Sequence, residues 1–95
     1  MDRVVAVARL KLGARQRAEE LIAEGAGPFV PEAAVERGAI FLSESEVVFL
    51  FEGADVNESV RTTLNDPVES SALAPWLPLF EGPLHQAREA HSWER

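Results

Sequence analysis

The hydrophobic residues of this chain are densest in residues 39–53, where two apolar segments flank the polar residues 43–46. Within each segment apolar side chains occupy consecutive positions, as Val48, Phe49 and Leu50 do. A strand with one face in water would instead alternate apolar and polar residues. The pattern therefore predicts a β-hairpin whose two faces are both covered.

A continuous apolar run also begins the first predicted strand, residues 4–12, which Gly13 ends. Residues 14–24 follow with the spacing of an amphipathic helix. The apolar side chains that share one face of this helix are Ala14, Ala18, Leu21 and Ile22. Residues 28–38 contain prolines and glycines that regular elements exclude, so they predict a loop.

The predicted hairpin is followed by a second helix. Asp55 and Glu58 match a capping box, in which each side chain accepts a hydrogen bond from the other residue's backbone N–H. The apolar residues of this helix recur at spacings of four: Val56, Val60 and Leu64. Pro67 should stop the helix, because proline cannot continue it.

Residues 84–93 fit two interpretations. Their Gln, Ala, Arg and Glu residues favour a helix by local propensity. As a strand, the segment would be the most polar one in the chain and would suit the edge of a sheet. We favour the edge strand because of the order of the elements that precede it.

The predicted order is strand, helix, strand, strand, helix and strand, which is the ferredoxin-like β-α-β-β-α-β fold of the α+β class. Its four-stranded antiparallel sheet has the first and third strands in the middle and both helices on one face. Residues 4–8 and 47–51, the most apolar strand segments, belong to these two central strands. We therefore expect a single domain over residues 1–95.

Helices on one face leave the other face of the sheet with a full set of apolar side chains. Each large one left in water forgoes about 1.5–3 kcal/mol relative to burial. A homodimer that packs sheet against sheet would cover them, and we expect Phe41, Phe49 and Phe51 at its interface. Because both faces are apolar, the pattern leaves open which of them is the dimer face.

Charge and composition narrow the range of partners. The 95 residues carry a net charge of -7, with Lys11 as the only lysine, so we expect no nucleic-acid partner. The apolar run at residues 4–8 is too short for a signal peptide or a membrane span, which predicts a cytoplasmic protein without a membrane partner. The lack of cysteine excludes a thiolate nucleophile and a disulfide.

His85 and His91 are the only histidines. On one strand they would share a face but lie about 20 Å apart, too far to bind one metal ion together. We therefore expect no metal site and no cofactor. His91, Trp76 and Arg88 are the candidate catalytic side chains, provided that they point into a pocket.

Three aromatic residues are candidates for ligand binding: Phe29, Trp76 and Trp93. Phe29 lies in the proline-bounded loop and could close over a cavity, although a role as a plug of the core is favoured. A packing role is also favoured for each tryptophan.

The chain resembles the dimeric α/β-barrel superfamily, which includes antibiotic-biosynthesis-type monooxygenases, muconolactone isomerase-like enzymes and stress-responsive barrel proteins. The resemblance lies in the order of elements and in three segments: residues 46–53, 76–78 and 91–94. It implies a pocket between the sheet and the helices or loops of each protomer. None of the three segments is a catalytic signature, so the resemblance implies no particular activity.

Two classes of function remain open. The first is a dimeric module that binds a hydrophobic small molecule or acts as an interaction partner. The second is a cofactor-independent monooxygenase or isomerase acting on an aromatic or polyketide-like substrate. The scarcity of titratable candidates favours the first class, and the sequence does not decide whether the protein is an enzyme.

Overall fold

A computed structural model describes residues 2–25, 35–65 and 74–94, with side chains described to residue 61 in the second range. Its elements are β1 (Asp2–Arg9), α1 (Arg15–Ala23), β2 (Arg37–Leu42), β3 (Glu46–Gly53), α2 (Val56–Asn65), a short 3₁₀ helix (Leu77–Leu79) and β4 (His85–Arg88). The predicted order of strands and helices is confirmed.

The four strands form one antiparallel sheet in the order β2-β3-β1-β4. The first and third strands are therefore central and the second and fourth are edges, as predicted. The central pair is the longest and runs in register from Asp2 opposite Gly53 to Arg9 opposite Glu46. The protein has the ferredoxin-like α+β fold.

The core lies between the helices and one face of the sheet, here called the helix face. β1 and β3 contribute alternate residues to it, because successive side chains of a strand point to opposite faces. These residues pair directly across the two strands: Val4 with Phe51, Ala6 with Phe49 and Ala8 with Val47. All six are at most 1% exposed, and small alanines beside large phenylalanines leave room for the helices above.

The helices cover this face with their apolar stripes. α1 buries Ala18 and Leu21, and α2 buries Val56 and Val60. Trp76, which precedes the 3₁₀ helix, completes the core and is fully buried. Its ring meets Phe49 edge to face, with centroids 5.1 Å apart and an interplanar angle of 88°, a favoured geometry for aromatic pairs.

The opposite side of the sheet, here called the open face, consists of the other alternate residues. Its middle part has two rows across the four strands, which are apolar except for His85: Ala39, Leu50, Val5 and Ala87 in one, and Phe41, Val48, Val7 and His85 in the other. None of these eight residues is buried, and Phe41 is 56% exposed. The open face thus presents a nearly continuous apolar surface.

The predicted end of the first strand is corrected. β1 ends at Arg9 and not at residue 12, because Leu10 leaves the ladder for an isolated bridge to Phe80. Leu12 is fully exposed. These two residues lead into α1 without continuing the sheet.

The predicted capping box is wrong. Asp55 adopts a left-handed backbone conformation with φ 58°, whereas an N-cap residue of this kind lies in the β region. The backbone N–H of Glu58 donates to the Asp55 carbonyl oxygen at 3.2 Å. The Glu58 carboxylate binds Arg61 and does not reach back to Asp55.

The edge strand that we favoured for residues 84–93 is confirmed over His85–Arg88 only. Arg88 pairs with Val4, and because β1 begins at Asp2, residue 91 would lie beyond the end of its partner strand. His91 therefore does not share a strand face with His85, and that prediction is wrong. Predictions for Phe29, Pro67 and the side chain of Leu64 lie outside the described residues.

No helix in the described ranges is long and apolar enough to cross a membrane.

Candidate functional site

The main candidate site is an apolar cavity of about 410 Å³ on the helix face. The described residues that line it come from the end of α1, the segment before β2, the start of β2 and the middle of β3: Ile22, Val35, Gly38, Ala39, Ile40, Phe49, Leu50 and Phe51. Ala39 and Leu50 belong to this lining although alternation directs their side chains to the open face. None of the lining side chains carries a charge or a hydrogen-bonding group. The cavity therefore offers an environment for an apolar ligand.

The register of β2 on β3 explains why space remains there. Gly38 lies opposite Phe51 and Ile40 lies opposite Phe49. Because Gly38 has no side chain, nothing from β2 covers the space above Phe51. A Cβ atom at position 38 would lie 3.5 Å from the Leu50 carbonyl oxygen, an ordinary van der Waals contact, so the backbone does not itself require glycine here.

Phe49 belongs both to the cavity wall and to the core. Its ring packs against Trp76 and it also lines the cavity. Trp76 itself is fully buried and is not among the described residues of the cavity wall. The structure thus gives Trp76 the packing role that the sequence favoured.

His91 and Trp93 lie elsewhere, on the exposed segment that follows β4. Their rings stack with centroids 5.8 Å apart and an interplanar angle of 29°. Trp93 is 76% exposed. Neither residue belongs to the described lining of the apolar cavity.

Arg88 lines a different depression, which is polar and has a volume of about 460 Å³. Its described lining combines β1, β4 and the start of α2: Asp2, Arg3, Asn57, Arg88, Glu89 and Ala90. Below it, the Gln86 side-chain amide donates to the Asn57 carbonyl oxygen at 3.0 Å. The three candidate catalytic residues His91, Trp76 and Arg88 are therefore not brought together at either site.

The expected interface role is wrong for Phe49 and Phe51. Both belong to the helix face and are 1% exposed, so they offer no surface to a second copy. The sequence does not show which alternate residues of β3 face the helices, because Val48 and Leu50, which point to the open face, are apolar too. Phe41 does lie on the open face, and its place in an interface stays a prediction.

Within the described ranges, no group of three His, Cys, Asp or Glu side chains is arranged to hold a metal ion.

The sequence resemblance implies a pocket between the sheet and the helices, but the sequence did not identify most of the residues that line the cavity. Ile22 was expected on the apolar face of the first helix, whereas Val35 and Gly38 are unremarkable within their own segments. The one signal that could have found it is the register, which aligns a glycine with a phenylalanine across two neighbouring strands.

Solved structures with this fold cover nearly the whole chain. Protein Atu4242 from Agrobacterium tumefaciens matches with a TM-score of 0.66 and 20% identity, over 97% of this chain and 94% of that one. Tetracenomycin F2 cyclase from Streptomyces glaucescens, described as a type-II polyketide cyclase, matches with a TM-score of 0.66 and 18% identity, over 98% and 97% of the two chains.

A candidate antibiotic biosynthesis monooxygenase from Chloroflexus aurantiacus also matches, with a TM-score of 0.51 and 15% identity, over 98% of this chain and 96% of that one. No family model matches the sequence, and the comparison with curated proteins gives no match. The similarity of these structures over nearly the whole chain shows the class of fold, a ferredoxin-like α+β domain. The resemblance drawn from the sequence is thereby confirmed at the level of the fold.

Proposed function

We propose that this protein is a homodimer in which each protomer binds a hydrophobic small molecule in the apolar cavity. The observation that supports ligand binding is the cavity itself. Its volume of about 410 Å³ lies within the range of roughly 300–1,000 Å³ that small-molecule sites occupy. Its described walls are apolar, so binding would be driven by burial of ligand surface.

The homodimer is supported by the open face. Two adjacent rows, apolar except for His85, cross all four strands there, and none of these residues is buried by its own chain. Monomeric proteins rarely expose apolar patches larger than a few hundred Å². A second copy placed sheet against sheet covers both patches at once and satisfies two-fold symmetry.

Ligand binding is tested by thermal shift with quinones, polyketide-like aromatics and haem. A ligand at 100 times its dissociation constant adds about 2.7 kcal/mol to the free energy of unfolding. For a domain of this size that raises the melting temperature by roughly 10–20 °C.

The variant Gly38→Leu places a side chain in the cavity and should abolish the shift. Ala90→Leu introduces the same side chain at an exposed position away from the apolar cavity and should leave the shift unchanged. Equal shifts in both variants, or no shift with any compound, would contradict the proposed site.

A second candidate function is a cofactor-independent monooxygenase, cyclase-like enzyme or isomerase acting on an aromatic or polyketide-like substrate. It is supported by two of the structural neighbours, one described as a polyketide cyclase and one as a candidate monooxygenase. Binding without turnover is favoured because Arg88 and His91 lie outside the described lining of the cavity. Product formation or oxygen consumption with a compound that also shifts the melting temperature, and its loss in Gly38→Leu, would establish the enzyme instead.

A cytoplasmic location remains a prediction, which fractionation of the source cells would test.

A further inference from the structure

One end of the open face carries four charges in a line, here called the charged row. Arg37 of β2 lies opposite Glu52 of β3, and Glu52 lies opposite Arg3 of β1. The row is completed beyond β4 by Glu89, whose backbone N–H donates to the Arg3 carbonyl oxygen at 3.3 Å. The charges therefore alternate in sign across the sheet, from Arg37 at one edge to Glu89 at the other.

These side chains are paired within the protomer. The Glu52 carboxylate lies 3.9 Å from the Arg3 guanidinium and 3.8 Å from that of Arg37, and Arg3 also binds Glu89 at 2.7 Å. Glu52 in the middle is only 13% exposed, whereas Arg37 and Glu89 at the edges are 71% and 37% exposed. The edge charges keep solvent-accessible surface with which they can contact another chain.

The opposite end of the open face is charged differently. There Glu46 of β3 lies opposite Arg9 of β1. The two middle rows lie between this end and the charged row. The two ends of the open face therefore differ in their pattern of charges.

Two aligned arrangements of a symmetric sheet-on-sheet dimer are available. When the two-fold axis runs along the strands, the strand order of the partner is reversed and each row faces itself. Arg37 then faces Glu89 of the partner subunit, and Glu52 faces Arg3 of the partner subunit. Every contact across the charged row joins opposite charges.

When the axis instead runs across the strands, the charged row faces the opposite end of the partner. Glu52 then faces Glu46 of the partner subunit, and Arg3 faces Arg9 of the partner subunit. Like charges brought together in an interface repel each other and disfavour this arrangement.

We propose that the charged row selects the first arrangement, with edge β2 of one protomer against edge β4 of the other. This inference rests on the proposed homodimer and adds its geometry, with a second copy of this chain as the partner. The charged rows of two copies attract each other in this orientation. In the other orientation, charges of the same sign meet and repel, so the charge pattern specifies the orientation.

The test mixes two charge-reversal variants, Arg37→Glu and Glu89→Arg. Each homodimer contains like charges at both edge contacts, whereas the mixed dimer contains opposite charges at both. Because exposed ion pairs contribute little individually but two of them change here, the mixed dimer should rise from the statistical half to roughly three-quarters of all dimers or more. Native mass spectrometry with one variant labelled by nitrogen-15 measures this fraction, and 0.5 M salt should reduce the preference.

The matched control mixes Arg17→Glu with Glu24→Arg, two exposed positions on α1, and should give the statistical half. If the edge variants also give half while the unmodified protein is a dimer, the proposed orientation is wrong and the homodimer stands. If the unmodified protein sediments as a monomer at micromolar concentration, the homodimer itself is wrong.

A double-mutant cycle on the dimer dissociation constant gives a second measurement with milder changes, Arg37→Gln and Glu89→Gln. The two residues lie on opposite edges of the same sheet, about 14 Å apart at the spacing of strands, so direct coupling between them arises only across the interface. A double variant that departs at least twofold from the product of the single effects supports the orientation. Additive effects within error would overturn it.

Discussion

The two faces of the sheet respond differently to the same substitution, and Phe41 and Phe49 make the sharpest comparison. Phe41 is 56% exposed on the open face, whereas Phe49 is 1% exposed in the core. Full burial of a phenylalanine is worth about 1.5–3 kcal/mol. Covering the exposed part of Phe41 in both copies therefore contributes roughly 2–3 kcal/mol to the dimer, by the same area rule.

Phe41→Ala should accordingly weaken the dimer by about 30- to 100-fold, at 1.4 kcal/mol for each factor of ten. Phe41→Glu should weaken it further, beyond about 1,000-fold, because two carboxylates would have to leave water. Neither substitution should unfold the protomer, since position 41 remains open to solvent. Phe49→Glu should unfold it, because truncation of a core phenylalanine alone costs about 3–5 kcal/mol and total stability is about 5–15 kcal/mol.

Sedimentation velocity over a range of concentrations measures the dissociation constant, and far-ultraviolet circular dichroism reports folding. The reasoning fails if Phe41→Glu keeps the dissociation constant of the unmodified protein. It also fails if Phe49→Glu remains folded with an unchanged melting temperature, because the core would then not depend on the helix face.

Three further predictions concern other parts of the structure. Trp76→Ala should lower stability by about 3–5 kcal/mol in denaturant titration, while Trp93→Ala, at a residue 76% exposed, should change it by at most about 0.5 kcal/mol; similar losses in both would contradict the core assignment. Asp55→Gly should leave stability equal or raise it by up to about 1 kcal/mol, and Asp55→Val should lower it, because φ is 58° and β-branched residues are strained there; the reverse order of melting temperatures would refute this. His91→Ala should leave the affinity of any cavity ligand unchanged in calorimetry, and a tenfold loss would return His91 to the site.

The fold was readable from the sequence because local pattern and element order agree. The apolar runs of residues 4–8 and 47–51 predicted the two central strands. The polar segment after residue 84 predicted an edge. The positions of central and edge strands depend on the average polarity of each segment, which can be read from the sequence without knowing the contacts.

The phase of alternation could not be predicted in β3. Phe49 and Leu50 are both large and apolar, and a shift of one residue exchanges the two faces without changing the pattern. The helices cover the face that carries Phe49 and Phe51. Phe49 and Phe51 therefore pack beneath the protomer's own helices and not, as the sequence pattern suggests, against a second subunit.

The candidate site depended on contacts between distant segments. The cavity exists because Gly38 is aligned with Phe51, and neither residue alone predicts this alignment. The pattern of residues 84–93 predicts a single element that would include His91, but β4 covers only His85–Arg88. The strand instead ends where β1 no longer provides a partner.

The double role of Phe49 gives the protein a built-in optical reporter. The same ring that lines the cavity is in edge-to-face contact with Trp76, one of two tryptophans in the chain. A molecule that pushes on one side of this ring alters the surroundings of an indole on the other side. With Trp93→Phe removing the exposed fluorophore, the emission of a single remaining indole would follow occupancy of the cavity without any added dye.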